Sequence, residues 1–107
     1  MLYNIVVYVP ETHAERVKEA MFQAGGGRFE QYDNCSWQVK GTGQFRPLAG
    51  STPFLGTAGT VEQVPEYRLE MVCATSRIKP VLQAMIDAHP YEEVAYHAYK
   101  AMTVEDF

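Results

Sequence analysis

Apolar residues recur along the chain at two spacings, and the whole pattern repeats after an offset of 64 residues. Every second residue is apolar in segments 3–9 and 67–73, which is the period of a strand with one buried face. Behind each strand, apolar residues follow the i, i+3, i+4, i+7 stripe of an amphipathic helix. The stripes are Val17, Ala20, Met21 and Ala24 in the first half, and Val81, Ala84, Met85 and Ala88 in the second. Each half is therefore predicted to be a strand followed by a helix.

Start and stop signals bound both predicted helices. Thr12 and Glu15 form a Thr-x-x-Glu capping box, and Ser76 is the predicted N-cap of the second helix. The first helix is expected to stop at the glycines of 25–27. The second is expected to end before Pro90, since proline disfavours a helical conformation in the residue that precedes it.

Two further segments alternate between apolar and polar residues, at 32–40 and 94–99. The order strand, helix, strand, strand, helix, strand predicts an α+β, ferredoxin-like βαββαβ sandwich, with an antiparallel sheet and both helices on one face. A chain of 107 residues has room for one core. We therefore expect a single domain over residues 1–107, with the glycine-rich segment 41–60 at the end of a hairpin.

The face of the sheet that the helices leave open is not purely polar. Val6 and Tyr8 in the first strand, and Ala95 and Tyr99 in the last, fall on this face. An apolar second face needs another covering layer, and a second copy of the chain is the simplest source. The sequence thus predicts a homo-oligomer, although half-exposed aromatic rings at Tyr8 and Tyr99 are the alternative.

Composition and charge narrow the possible partners. The chain is 47% hydrophobic and 21% charged, with a net charge of −4, so binding to nucleic acid is not expected. No apolar run approaches the roughly 20 residues of a membrane span, and no basic region precedes the first apolar stretch, which predicts a cytoplasmic protein without a membrane partner. The cysteines, Cys35 and Cys73, fall on apolar strand positions and are expected to be buried thiols.

The glycine-rich segment begins Gly-Thr-Gly-Gln-Phe-Arg-Pro at residue 41 and invites a phosphate-loop interpretation. It lacks the lysine of a Walker loop, its sixth position is Arg46 rather than glycine, and its prolines forbid a following helix. We interpret it as a shaped loop in which Phe45 and Arg46 form a candidate contact surface. A loop packed only on itself is the equally simple alternative.

A search for catalytic residues finds no nucleophile with a neighbouring base. His13, His89 and His97 lack the spacing of a metal site, so no metal and no cofactor are predicted. His89 is expected in the last helical turn, where positive charge complements the helix dipole. Non-enzymatic function is favoured over catalysis.

Two acidic groups remain as candidates for chemistry. Glu66, Arg68 and Glu70 are expected to share a solvated, charged face. Glu92 and Glu93, which follow Tyr91 at the entry to the last strand, could act in acid–base chemistry if one of them were buried.

These pieces together resemble a known family. The motifs Cys-Ser-aromatic, Gly-x-Gly-x-Phe-x-Pro, Gly-x-x-Gly-x-x-Glu and His-Pro-Tyr-Glu-Glu are similar to those of the domain inserted in YqfO-type bacterial members of the NGG-interacting-factor-three-like family. The resemblance covers essentially the whole chain. It implies a fold like that of the trimeric CutA and PII proteins, and a trimer here. The metal ligands of the larger members look to lie in flanking halves, so their chemistry does not carry over.

The leading hypothesis is a non-enzymatic, trimeric module that recognises a small ligand or a protein partner through the hairpin loop and inter-subunit clefts. The candidate contact residues are Phe45, Arg46, His89, Tyr91, Glu92 and Glu93. The alternative is a small-molecule or metal sensor in which His89, Glu92, Glu93 and His97 line a cleft at the subunit boundary.

Overall fold

Four antiparallel strands and two helices make up the fold in the computed structural model, which describes every residue from Met1 to Phe107. In chain order the elements are β1 (Leu2–Pro10), α1 (Ala14–Gln23), β2 (Trp37–Phe45), β3 (Glu62–Ala74), α2 (Ile78–Ala88) and β4 (Tyr96–Ala101). The sheet order is β2-β3-β1-β4, and every pair is antiparallel. The predicted α+β, ferredoxin-like βαββαβ fold is confirmed.

The core lies between the helices and one face of the sheet. Its buried residues come from β1, β3 and both helices, as the repeated pattern predicts. Val17 and Met21 of α1 and Val81 and Met85 of α2 are all fully buried. They pack with strand residues such as Ile5. Each of these side chains contributes about 1.5–3 kcal/mol by leaving water.

The predicted boundaries of the second strand are wrong. Residues 32–40 were expected to form it, whereas β2 begins at Trp37 and extends to Phe45. Gly41 and Gly43 lie inside the strand and pair with β3 across from Glu66 and Val64. Glycine has a low preference for strands, but the pairing of all nine residues of β2 with residues 62–70 of β3 overrides it. The glycine-rich loop therefore begins at residue 46, and the last strand likewise starts two residues later than expected.

Cys35 lies in the irregular segment before β2 and is only half-buried, so its predicted strand position is wrong. Cys73 is fully buried in β3, as expected.

Both predicted helix caps are also wrong, whereas both predicted stops are confirmed. The Thr12 hydroxyl bonds to Nδ1 of His13 at 2.8 Å, and the N-cap position, His13, makes no side-chain cap. Ser76 lies within a 3-10 turn at Thr75–Arg77, and α2 starts only after it. At the other ends, α1 gives way to Gly25 with φ of 111°, and α2 ends before His89, whose ψ of 139° is extended.

The open face of the sheet carries a hydrogen-bonded polar network around a buried valine. Val6 is fully buried although its side chain is on the face of the sheet that points away from the helices. The network consists of Asn4 donating to Glu70 and Tyr99 at 3.0 Å each, and Arg68 donating to Glu70 at 3.3 Å and to the Tyr8 hydroxyl at 3.0 Å. Arg68 and Glu70, two residues apart in β3, thus pair with each other on this face.

Large apolar side chains flank this network on the same face. Trp37 pairs across from Glu70 and is 61% exposed, and Val39 pairs across from Arg68 and is 44% exposed. Neither helix of the protein has the length and apolar character that crossing a membrane requires.

Candidate functional site

The loop between β2 and β3, residues 46–61, contacts the segment between α2 and β4, residues 89–95. The backbone N–H of Thr52 donates to both carboxylate oxygens of Glu92, at 3.2 and 3.1 Å. The ring of Tyr91 lies 5.8 Å from that of Phe45 and 6.4 Å from that of Phe54, measured between centroids. The hairpin loop and the His-Pro-Tyr-Glu-Glu turn therefore meet within one chain.

A cleft of about 370 Å³ lies between these two segments. Of the six predicted contact residues, five line it: Phe45, Arg46, Tyr91, Glu92 and Glu93. The sixth, His89, lies behind Tyr91, with its ring centroid 4.9 Å from the tyrosine ring. Phe54 from the loop and Glu66 from β3 also line the cleft.

Glu66 is the residue of this cleft that the sequence did not reveal. It was expected on a solvated face, but only 9% of its surface is exposed. The Tyr91 hydroxyl donates to its Oε2 at 2.9 Å. Burial, and then the hydrogen bond to the Glu66 carboxylate, raise the pKa of the Tyr91 hydroxyl. Tyr91 is therefore a neutral donor at physiological pH.

The space for the Glu66 carboxylate is provided by Gly43, diagonally across the β2–β3 pair. A Cβ at position 43 would overlap the carboxylate, whereas a Cβ at Gly41 would meet no atom within 4 Å. Neither glycine has a positive φ, so Gly43 is required by the close approach and not by its backbone conformation. This contact explains why the second position of the Gly-x-Gly motif is glycine. A glycine inside a strand indicates a close approach by another group, and this was the sequence signal that could have pointed to Glu66.

His89 anchors the turn that carries Tyr91. Its Nδ1 accepts a hydrogen bond from the backbone N–H of Tyr91 at 3.2 Å, so Nε2 carries the proton that is donated to the Tyr8 carbonyl at 2.8 Å. Burial lowers the pKa of the His89 imidazole. The expected role as a positive charge in the last turn of α2 is wrong, because the ring is buried, neutral and bonded at both nitrogens.

The other histidines do not join the cleft as ligands. His97 stacks on Tyr99 on the open face of the sheet, with centroids 5.8 Å apart. No group of three or more His, Cys, Asp or Glu side chains is placed to hold a metal ion. His13 makes the only hydrogen bond between a hydroxyl and an imidazole, with its neighbour Thr12. No carboxylate forms a hydrogen bond with that ring.

Gly43→Ala is expected to destabilise the protein, with Gly41→Ala as its matched control. The new methyl group forces the Glu66 carboxylate to move and to lose its bond to Tyr91, a loss of about 1–3 kcal/mol. Gly41→Ala should change the free energy of unfolding by no more than about 0.5 kcal/mol. Urea denaturation measures both, and equal effects of the two variants would contradict the assigned role of Gly43.

Acid is expected to destabilise the protein through His89. Its pKa is lowered from 6.5 in the folded state, so below that pH the unfolded chain binds a proton that the folded protein does not. The free energy of unfolding should therefore fall as the pH drops from 6.5 towards the pKa of His89 in the folded state. Above pH 6.5 the contribution of His89 to the free energy of unfolding should be constant.

The measurement is urea denaturation between about pH 7.5 and about pH 5.5, a window that lies above most carboxylate titrations. His89→Gln, which keeps a donor and an acceptor, should show a shallower fall than the wild type, and His97→Gln should not. A wild-type slope unchanged by His89→Gln would refute the assignment.

Comparisons with known proteins support the family resemblance that the motifs indicate, although no family model matches the chain. The chain is 46% identical over 98 residues to the GTP cyclohydrolase 1 type 2 homolog of Bacillus subtilis, which is 92% of this chain and 26% of that protein. The protein of the same name from Mycobacterium tuberculosis is 47% identical over 94 residues, 88% of this chain and 25% of that protein. The chain thus spans about a quarter of the length of the curated relatives that it matches.

Solved structures agree with this result. A Bacillus cereus protein related to NIF3 matches with a TM-score of 0.79 and 42% identity, over 92% of this chain and 25% of that one. CutA from Archaeoglobus fulgidus matches with a TM-score of 0.69 over 96% of this chain and 86% of that one, but at 14% identity, so it shows the fold alone. Over the segment that it shares with these relatives, the chain's resemblance to proteins of the NGG-interacting-factor-three-like family, which its motifs indicate, is confirmed.

Proposed function

We propose that the domain is a non-enzymatic recognition module that binds a small ligand, or a short segment of a partner protein, in the cleft between residues 46–61 and 89–95. One observation carries the proposal: a buried carboxylate, that of Glu66, lies in an aromatic cleft that the chain forms by itself. Apolar walls with a few fixed polar groups are the usual composition of ligand sites.

The cleft is held in shape before any ligand arrives. Glu92 binds the backbone of Thr52 in the loop, and His89 joins the Tyr8 carbonyl of β1 to the Tyr91 N–H in the turn. Preorganisation of this kind reduces the ordering cost of binding. Catalysis is not supported, because the cleft contains no nucleophile paired with a base.

The name of the relatives, GTP cyclohydrolase 1 type 2 homolog, refers to proteins of which this chain covers only about a quarter. The cleft carries three carboxylates, of Glu66, Glu92 and Glu93, and a single guanidinium, of Arg46. This charge balance disfavours a triphosphate. A metal sensor is also less well supported, since both nitrogens of His89 are already bonded.

We further propose that the domain assembles as a homotrimer through the open face of the sheet. Trp37, Val39 and Tyr99 are 61%, 44% and 47% exposed on that face. The Cα radius of gyration is 15.0 Å, against about 13 Å for a compact chain of this length. An elongated subunit with exposed apolar groups favours assembly, and a trimer would add inter-subunit clefts beside the hairpin loop. The free cysteines support a reducing, cytoplasmic location.

The cleft hypothesis is tested by screening small molecules of different charge for thermal stabilisation. A ligand at about 100 times its Kd should stabilise the native state by about 2.7 kcal/mol. Phe45→Leu removes an aromatic ring from the cleft wall and should reduce that shift. Phe29→Leu, at an exposed ring outside the cleft, is the control and should preserve it. A screen in which no compound gives a shift dependent on Phe45 would argue against a ligand site here.

The assembly hypothesis is tested by light scattering after size-exclusion chromatography. The wild type is expected at three times the 12.1 kDa mass of the chain. Val39→Glu buries a charge in the proposed interface and should give monomers, whereas Ile86→Glu, at a partly exposed position of α2, should not. A monomeric wild type at micromolar concentration would eliminate the trimer.

A further inference from the structure

We propose that the group which enters the cleft is an organic cation, an ammonium, amidinium or guanidinium, that pairs with the carboxylate of Glu66. The inference rests on the proposed function of the cleft and adds the chemical class of the ligand. Three features of the cleft favour a cation: the unpaired carboxylate of Glu66, the aromatic rings around it and the acidic rim.

Glu66 has no positive partner in the chain. The salt bridges of the protein join Lys18 to Glu15, Lys40 to Glu11 and Arg68 to Glu70. Glu66 receives one side-chain hydrogen bond, from the neutral hydroxyl of Tyr91. Buried carboxylates are normally paired, because removing an isolated charge from water is costly. A cationic ligand would supply the missing partner.

Aromatic rings surround the place that such a cation would occupy. Phe45, Phe54 and Tyr91 line the same cleft as Glu66, and their neighbouring ring centroids are 5.8 and 6.4 Å apart. The face of an aromatic ring carries partial negative charge and attracts cations. Rings and a carboxylate together favour a flat or alkyl cation over a strongly hydrated metal ion.

The charged residues at the rim of the cleft also favour a positively charged ligand. Glu92 and Glu93 line the cleft beside Glu66, and Arg46 is the only basic residue that does so. Arg46 makes no salt bridge to any of these carboxylates. An anionic ligand would meet one exposed guanidinium and three carboxylates, so the electrostatic balance selects against it.

The experiment uses three probes of nearly equal shape and different charge: benzamidinium, benzamide and benzoate. Each is titrated into the full chain labelled with nitrogen-15, and the amide shifts of residues 46–61 and 89–95 report binding. We expect benzamidinium to bind at least about ten-fold more tightly than benzamide, as a charge-assisted hydrogen bond predicts. Benzoate should bind most weakly.

Glu66→Gln tests whether the carboxylate is the cause. Glutamine keeps the size of the side chain and can still accept the Tyr91 hydrogen bond, but it removes the charge. The variant should lose about ten-fold in affinity for benzamidinium while its affinity for benzamide is unchanged. Its melting temperature without ligand should be equal to that of the wild type or higher, because an unpaired buried charge is removed.

A control variant separates this effect from overall charge. Glu19→Gln removes one negative charge from the exposed surface of α1 and should leave benzamidinium affinity unchanged. Arg46→Gln, a test variant inside the cleft, should increase benzamidinium affinity, since a repelling cation is removed from the rim. A decrease in benzamidinium affinity in Arg46→Gln would contradict the inference.

The remaining outcomes are distinguishable. If benzamide or benzoate binds the cleft at least as well as benzamidinium, the cation is wrong and the cleft remains a binding site. A different outcome is that no probe perturbs the cleft and that a lysine or arginine of a second copy of the chain pairs with Glu66 in the trimer. In that case the inference that the ligand is an organic cation is also wrong. An acetyl-arginine amide compared with agmatine shows whether the cation is accepted as a peptide side chain or as a free molecule.

Discussion

The hydrogen bond between the Tyr91 hydroxyl and the Glu66 carboxylate is the interaction on which the candidate site depends. It joins β3, where Glu66 lies, to the turn that precedes β4, and the nearby ring of Phe45 brings in the end of β2. The bond can form only because Gly43 leaves room for the carboxylate. A single close approach between neighbouring strands thus determines where the cleft lies and which charge it contains.

The site is also connected to the core through His89. Its imidazole bonds to the carbonyl of Tyr8 in β1 and to the backbone of Tyr91 in the turn. Through these hydrogen bonds, β1 fixes the position of Tyr91. Tyr91 in turn fixes the position of the Glu66 carboxylate. A burial-induced decrease in the pKa of His89 keeps the ring neutral, and only the neutral ring can accept one of these bonds while donating the other.

The helices and the sheet could be predicted from the sequence because their periods are set by local geometry. Val17 and Met21 recur at the helical spacing and are buried as that spacing requires. The start of β2 and the burial of Glu66 could not be predicted in this way. Gly41 and Gly43 are extended because β3 pairs with them, and Glu66 is buried because a turn distant in sequence covers it. The predicted caps at Thr12 and Ser76 failed because Thr12 lies within the turn before α1 and Ser76 lies within the 3-10 turn at Thr75–Arg77. Five of the six predicted contact residues do line one cleft, since the end of β2 and the segment before β4 lie at the same end of the sheet.

The charged residues of the open face are paired with each other, whereas the Glu66 carboxylate in the cleft has no positive partner. This difference supports different roles for the two surfaces. On the open face, Arg68 and Glu70 pair with each other and with neutral partners, so their polar groups are already satisfied. Such a surface can be covered by another copy of the chain without leaving a buried charge unpaired. In the cleft, Glu66 keeps a charge that nothing in the chain neutralises. A satisfied network suits a permanent interface, whereas an unpaired carboxylate in an aromatic cleft suits a partner that arrives with its own positive charge.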